Sequence, residues 1–141
     1  MAGDQFDAAL SRTNVKLVRR SIEAWNSGDV QAWVETLDAG VRIWSPTPNA
    51  DESPYRGRKG ARKFAETLVG DWGQLCIRSE SLHARGDRVL ALGQLEAHGR
   101  ENDLRLTTPA ACLVRVRDRK IVGWHLYTDQ NEALKAAGLR R

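Results

Sequence analysis

Ala24-Trp25-Asn26-Ser27-Gly28-Asp29 is the stretch that decides how this 141-residue chain folds. Before it, Val15, Val18, Ile22 and Trp25 recur at spacings of three and four, the mark of one buried face of a helix over residues 14–26. Thr13 or Asn14 can cap its start, and Ser27-Gly28 lets the chain stop and turn. Asp29 then caps a second helix whose apolar stripe is Val30, Trp33, Val34 and Leu37. The stretch therefore joins two helices into a hairpin.

Downstream, residues 41–45 form a short β-like run stopped by Pro46. The segment 47–55, with Pro48 and Pro54, reads as a polar loop that could close as a lid. Ala61, Phe64, Ala65 and Leu68 restore helical spacing over 57–69. The period then changes to that of strands. Runs at 75–84 and 89–98 flank the turn Arg85-Gly86-Asp87, and runs at 107–117 and 121–128 flank Asp118-Arg119-Lys120. Asp129-Gln130-Asn131-Glu132 has the capping-box pattern before a short helix that Gly138 closes.

Upstream, residues 1–12 are mixed and polar and read as a flexible lead-in without the apolar core of an export signal, leaving 13–141 as one domain. Hydrophobic residues make up 41% and charged residues 28%, and no apolar run approaches a membrane span. The expectation is a cytoplasmic protein that does not engage a membrane. The net charge of +4 is spread over several segments, and the densest basic cluster, Arg56, Arg58, Lys59, Arg62 and Lys63, lacks aromatic residues arranged for base stacking. No nucleic-acid partner is expected. Cys76 and Cys112 have no CxxC spacing, and His83, His98 and His125 form no HxH or HxxxH pair, so no metal or other cofactor is expected.

Three helices followed by a long meander must pack as layers, because each element has one apolar face to bury. The expected fold class is α+β, a cone-shaped α+β barrel with three N-terminal helices on a strongly curved, mostly antiparallel sheet. Its wide end would hold a ligand. Strand alternation places Trp124, Leu126 and Thr128 on the inner face and His125, Tyr127 and Asp129 on the outer one. By the same rule Gly93 and Leu95 share an inward row, as do Cys112 and Val114. Ile43 and Ser45 of the first strand complete the expected lining.

The order of elements and four local phrases resemble the nuclear-transport-factor-like superfamily, in its SnoaL-like and ketosteroid-isomerase-like branches. The phrases are Ala24-Trp25-Asn26-Ser27-Gly28-Asp29, Tyr55-Arg56-Gly57-Arg58, Gly86-Asp87-Arg88-Val89 and Val116-Arg117-Asp118-Arg119-Lys120-Ile121-Val122. The resemblance implies a pocket, and dimers formed through the outer sheet face. It also implies where familiar chemistries would sit. The isomerase base falls at Ser45, before Pro46, and its two oxyanion donors fall at Ser21 and near Cys112. The cyclase histidine and aspartate fall at Cys112 and Leu126, and the epoxide-hydrolase triad at Leu95, Leu126 and Gly93. None of these residues can do the proton transfer concerned.

The expected function is therefore binding of a small apolar organic compound, polycyclic or terpenoid-like, by a homodimer. Shape would come from Trp124, Leu126, Leu95 and Val114, and polar orientation from Ser45, Thr128 and Cys112. A second expectation is an acid–base enzyme of the cyclase, isomerase or dehydratase type that uses His125 and Asp129, with Cys112 a further candidate nucleophile. It requires a one-residue change of parity in the last strand. Without that change, Asp129 is a helix cap. A third is a non-catalytic dimerisation domain with a filled cone.

Overall fold

The structure, a computed structural model, describes residues 2–45, 55–98 and 105–138, with side chains from Leu10 onward except 69–72. Helices α1 (Ala2–Asn26) and α2 (Val30–Glu35) lead into β1 (Leu37–Trp44), followed by β2 (Tyr55–Arg56) and α3 (Gly57–Trp72). Strands β3 (Gln74–Arg85), β4 (Arg88–His98), β5 (Arg105–Arg117) and β6 (Lys120–Tyr127) follow, and α4 (Gln130–Ala136) ends the chain's regular structure. One sheet runs in the order β2-β1-β6-β5-β4-β3. All neighbours are antiparallel except β1 and β6. The sheet is open, with β2 and β3 as its edges.

Helices α1 to α3 cover one face. There Val18, Ile22, Trp33 and Phe64 pack with Ile43, Val89, Val114, Trp124 and Leu126 in the main core. On the opposite face α4 buries Ala133 and Ala137 against Leu90, Ala111 and Leu113, a second, smaller core. The layered α+β architecture thus follows from the alternation of β4 to β6, each of which has apolar side chains to hide on both faces.

Several boundaries differ from the sequence reading. Helix α1 begins at Ala2, so the segment expected as a lead-in is helical; among its mostly polar residues only Phe6, Ala9 and Leu10 keep helical spacing. Helix α2 stops at Thr36, whose hydroxyl turns back to the Trp33 carbonyl at 2.6 Å, and Leu37 therefore opens β1 instead of ending the helical stripe. β2 falls at the edge of what was read as a loop; the rest of the expected lid lies outside the described residues. In the tight β5–β6 turn, Asp118 and Arg119 have φ of 51° and 64°, the backbone hand that lets a two-residue hairpin match strand twist.

The curvature has a local cause. β3 carries an extra residue against β4, a bulge between Ser79 and Ser81, opposite Gly93. The Arg78 carbonyl enters the space where a side chain at 93 would stand: a Cβ there would lie 1.9 Å from that oxygen. A side chain at this point requires the backbone to shift. Gly93→Ala should push the two strands apart and lower stability by about 1–3 kcal/mol, read as a drop in the urea midpoint. A midpoint unchanged from the parent would show that the bulge can relax.

Candidate functional site

The site begins with the hexapeptide after α1. Gly28 turns the chain with φ of 79°, and Asp29 accepts a hydrogen bond from the Ala32 amide at 3.0 Å, capping α2. This sets Trp33 on the inner face of a two-turn helix, 1% exposed. Just before the turn, Trp25 donates its indole N–H to the Leu75 carbonyl at 2.9 Å. Asn26 clamps the Ile77 backbone, accepting from its amide and donating to its carbonyl, both at 2.8 Å. The end of α1 is thereby fastened to edge strand β3.

Between these elements lies a cavity lined by Trp25, Trp33, Phe64, Leu68, Leu75, Ile77, Leu95, Trp124 and Leu126. Its walls are tiled by rings: Trp33 stands edge-on to Trp25 at 4.8 Å and to Trp124 at 6.3 Å, with Phe64 tilted against Trp25 at 5.9 Å. The free volume is about 10 Å³, room for one water at most. Among the described residues no ionisable side chain lines it. Among the described residues the buried Trp33 indole N–H and Ser45 hydroxyl have no hydrogen-bond partner. An orphaned buried donor costs about 1–3 kcal/mol.

Of the residues expected to form the lining, Leu95, Trp124 and Leu126 do so. Ile43, Cys112 and Val114 belong to the same core without reaching the cavity. Ser21 is fully buried and its hydroxyl lies 2.8 Å from that of Thr36. The Thr36 proton is already given to the Trp33 carbonyl, so Ser21 is the donor of that pair. Gly93 sits under the Arg78 carbonyl. Thr128 corrects the expectation: it is exposed, because β6 ends at Tyr127 and the chain bends there towards the α4 cap. Six lining residues, Trp25, Trp33, Phe64, Leu68, Leu75 and Ile77, were not expected there. The signal for the helical ones was their stripes, read as core.

The parity of β6 is as expected. Trp124 and Leu126 are buried at 3% and 7% exposure. His125 lies on the outer face, stacked on Tyr127 at 4.2 Å and on Trp44 at 5.5 Å. Partial burial lowers its pKa, since the charged ring loses water without gaining a counter-ion. Asp129 accepts from the Asn131 and Glu132 amides at 2.9 and 3.4 Å and so caps α4. Neither group reaches the cavity, so the pair proposed for acid–base work is not assembled there.

The basic cluster is partly structural. Arg58 holds the Leu37 carbonyl with two nitrogens at 3.2 and 3.1 Å, and Arg62 donates to the Gln31 side chain. Among the described residues no group of three or more His, Cys, Asp or Glu could hold a metal, and no helix is long and apolar enough to cross a membrane. Cys112 is buried, and the loss of water pushes its thiol up to about 12, opposed only weakly by the Trp124 side chain. Half-buried Cys76 should react with a thiol reagent at pH 8 in the native protein while Cys112 stays protected, and both should react in denaturant. Rapid native labelling of Cys112 would contradict this burial.

No curated protein matches the sequence. Solved structures share the fold. An NTF2-like protein of unknown function from Burkholderia pseudomallei superposes with a TM-score of 0.74 at 17% identity, covering 87% of this chain and 95% of that one. A candidate polyketide cyclase from Xanthomonas campestris gives 0.72 at 22% identity, over 89% and 96% of the two chains. TerC, co-crystallised with polyporic acid, gives 0.74 at 16% identity, over 87% and 96%. At these identities the likeness is one of fold, and the family is decided by the sequence itself: the SnoaL-like domain family matches residues 18–124, and this chain belongs to it.

Proposed function

We propose that this domain binds a small, largely apolar organic molecule in the aromatic cavity between α1–α3 and the sheet. The observation that carries this reading is the composition of the lining: among the described residues it comprises nine side chains, three of them indoles, and none ionisable. Such walls suit flat rings and branched hydrocarbon surfaces. TerC was crystallised with polyporic acid, and a ketosteroid-isomerase-like protein from Catenulispora acidiphila with trimethylamine, which supports a binding role by analogy.

The free volume of about 10 Å³ is far below that of ligand pockets, about 300–1,000 Å³, so binding requires the cavity to open. Trp25, Leu75 and Ile77 are only half-buried and form its outer wall, the side that gives way. This favours a compact one- or two-ring compound over a tetracyclic one. The test is a titration of the protein with terpenoid, polyketide and steroid compounds followed by tryptophan fluorescence. Compact terpenoids should give a saturable change. Leu126→Trp, which adds an indole to the lining, should weaken binding at least tenfold while leaving the far-ultraviolet circular dichroism unchanged. A flat response to the whole panel would sink the reading.

A second reading, self-association through the outer sheet face, is favoured by the stacked row Trp44, His125 and Tyr127, all half-buried on that face. Sedimentation velocity should then give a dimer that Tyr127→Glu converts to monomer. A monomeric parent protein at tens of micromolar excludes it.

A further inference from the structure

The outer face of the sheet is covered over only part of its length. There α4 packs on Leu90, Ala111 and Leu113, and the Gln130 side chain donates to the Gly93 and Ala110 carbonyls at 3.0 and 3.2 Å. Beyond these contacts β4 and β5 extend to His98 and Arg105. Over this end of the β3–β4–β5 ribbon lies an open groove of about 360 Å³, lined by strand residues. Register explains its composition. Directly paired residues share a face, so Gln74, His98 and Arg105 form one row across the groove, and Cys76, Glu96 and Thr107 form the next.

The polar groups of the groove are unequally engaged. Arg78 and Glu96 are spent on each other at 2.7 Å, so their charges offset. Among the described residues no hydrogen bond or ion pair holds Arg105, Thr107, His98 or Gln74. One guanidinium is thus left uncompensated, with a hydroxyl, an imidazole and an amide beside it. We infer that this groove binds a small organic carboxylate, whose two oxygens take the fork of Arg105 with the Thr107 hydroxyl as a further donor. The planar guanidinium matches a carboxylate with two parallel hydrogen bonds, which a point charge cannot do. A cationic ligand would find no free carboxylate, because Glu96 is already paired. A phosphate dianion would bring two charges to one uncompensated cation. A nucleic-acid strand needs a run of cations and stacking rings, and among the described residues no phenylalanine, tyrosine or tryptophan lines the groove. The site lies on the opposite face of the sheet from the aromatic cavity and is independent of the binding reading above.

The test titrates benzoate, and benzamide as its neutral isostere, into the ¹⁵N-labelled protein. Benzoate should shift the Arg105 Nε–H signal and the backbone amides of Glu96, His98 and Thr107 saturably at millimolar concentration, and less at high salt, because exposed charges are screened. Benzamide should not. Benzoate should also slow alkylation of Cys76 by iodoacetamide at least threefold, since the thiol shares the groove. Arg105→Gln, a change to an exposed side chain, should weaken benzoate binding at least fivefold and abolish that protection. Arg115→Gln, beside Asp87, should leave both unchanged. Equal shifts from benzamide, shifts confined to the tryptophan indoles, or binding that survives Arg105→Gln intact would overturn the assignment. So would the absence of any saturable shift at millimolar benzoate.

Discussion

The double hydrogen bond between Asn26 and the backbone of Ile77 is the constraint on which the site depends. β3 is an edge strand, and an edge leaves half of its amides and carbonyls without strand partners. Asn26 satisfies one amide and one carbonyl, and Trp25 satisfies the carbonyl of Leu75. The same two residues stop a neighbouring strand from pairing there and tie the helical layer to the far end of the sheet. A helix docked only by apolar contact could slide along the strand. A helix held by a side-chain amide has one register. That register places the Trp25 ring over Trp33 and closes the outer wall of the cavity.

Two further devices complete the cone. The bulge opposite Gly93 bends the long β3–β4 ribbon, and it does so by putting a carbonyl where a side chain would otherwise stand. At the other end, the Ser21–Thr36–Trp33 hydroxyl relay fixes the junction of α2 and β1, while the Ile121 amide donates to the Thr36 carbonyl at 2.9 Å. One short segment is therefore bonded to helix, helix end and sheet together. Ser21 occupies the place where resemblance to isomerases puts a catalytic donor, and here that place serves packing.

Most of the architecture was legible in the sequence because it rests on short-range rules: helical spacing, strand alternation, the Asp29 and Asp129 caps and the Gly86 turn. Alternation in β6 alone separated Trp124 and Leu126 from His125, and with them the binding and acid–base readings. What escaped depends on long-range partners. Nothing local says that Asn26 reaches Ile77 across fifty-one positions. Nothing local says that Arg78 leans over Gly93, or that the stripes of α1, α2 and α3 converge on the same space as Leu95 and Trp124. Trp33 was read as core, which is correct for its ring; the state of its N–H is a property of the assembled neighbourhood. Thr128 was misplaced because alternation was carried one residue past the end of β6.

The chemistry of the lining follows from what fills it. A proton-transfer site in a cone of this kind needs an ionisable group at its wall, held there by partners that offset its desolvation. Here the positions concerned hold leucine, serine, cysteine and glycine, and the helices fill the space between them with tryptophan and phenylalanine. A carboxylate at position 126 would stand among indoles, where loss of water raises its pKa. A carboxylate there would need partners that the described lining does not supply. The aromatic filling of the cavity and the apolar or weakly polar residues at these positions are physically consistent with each other.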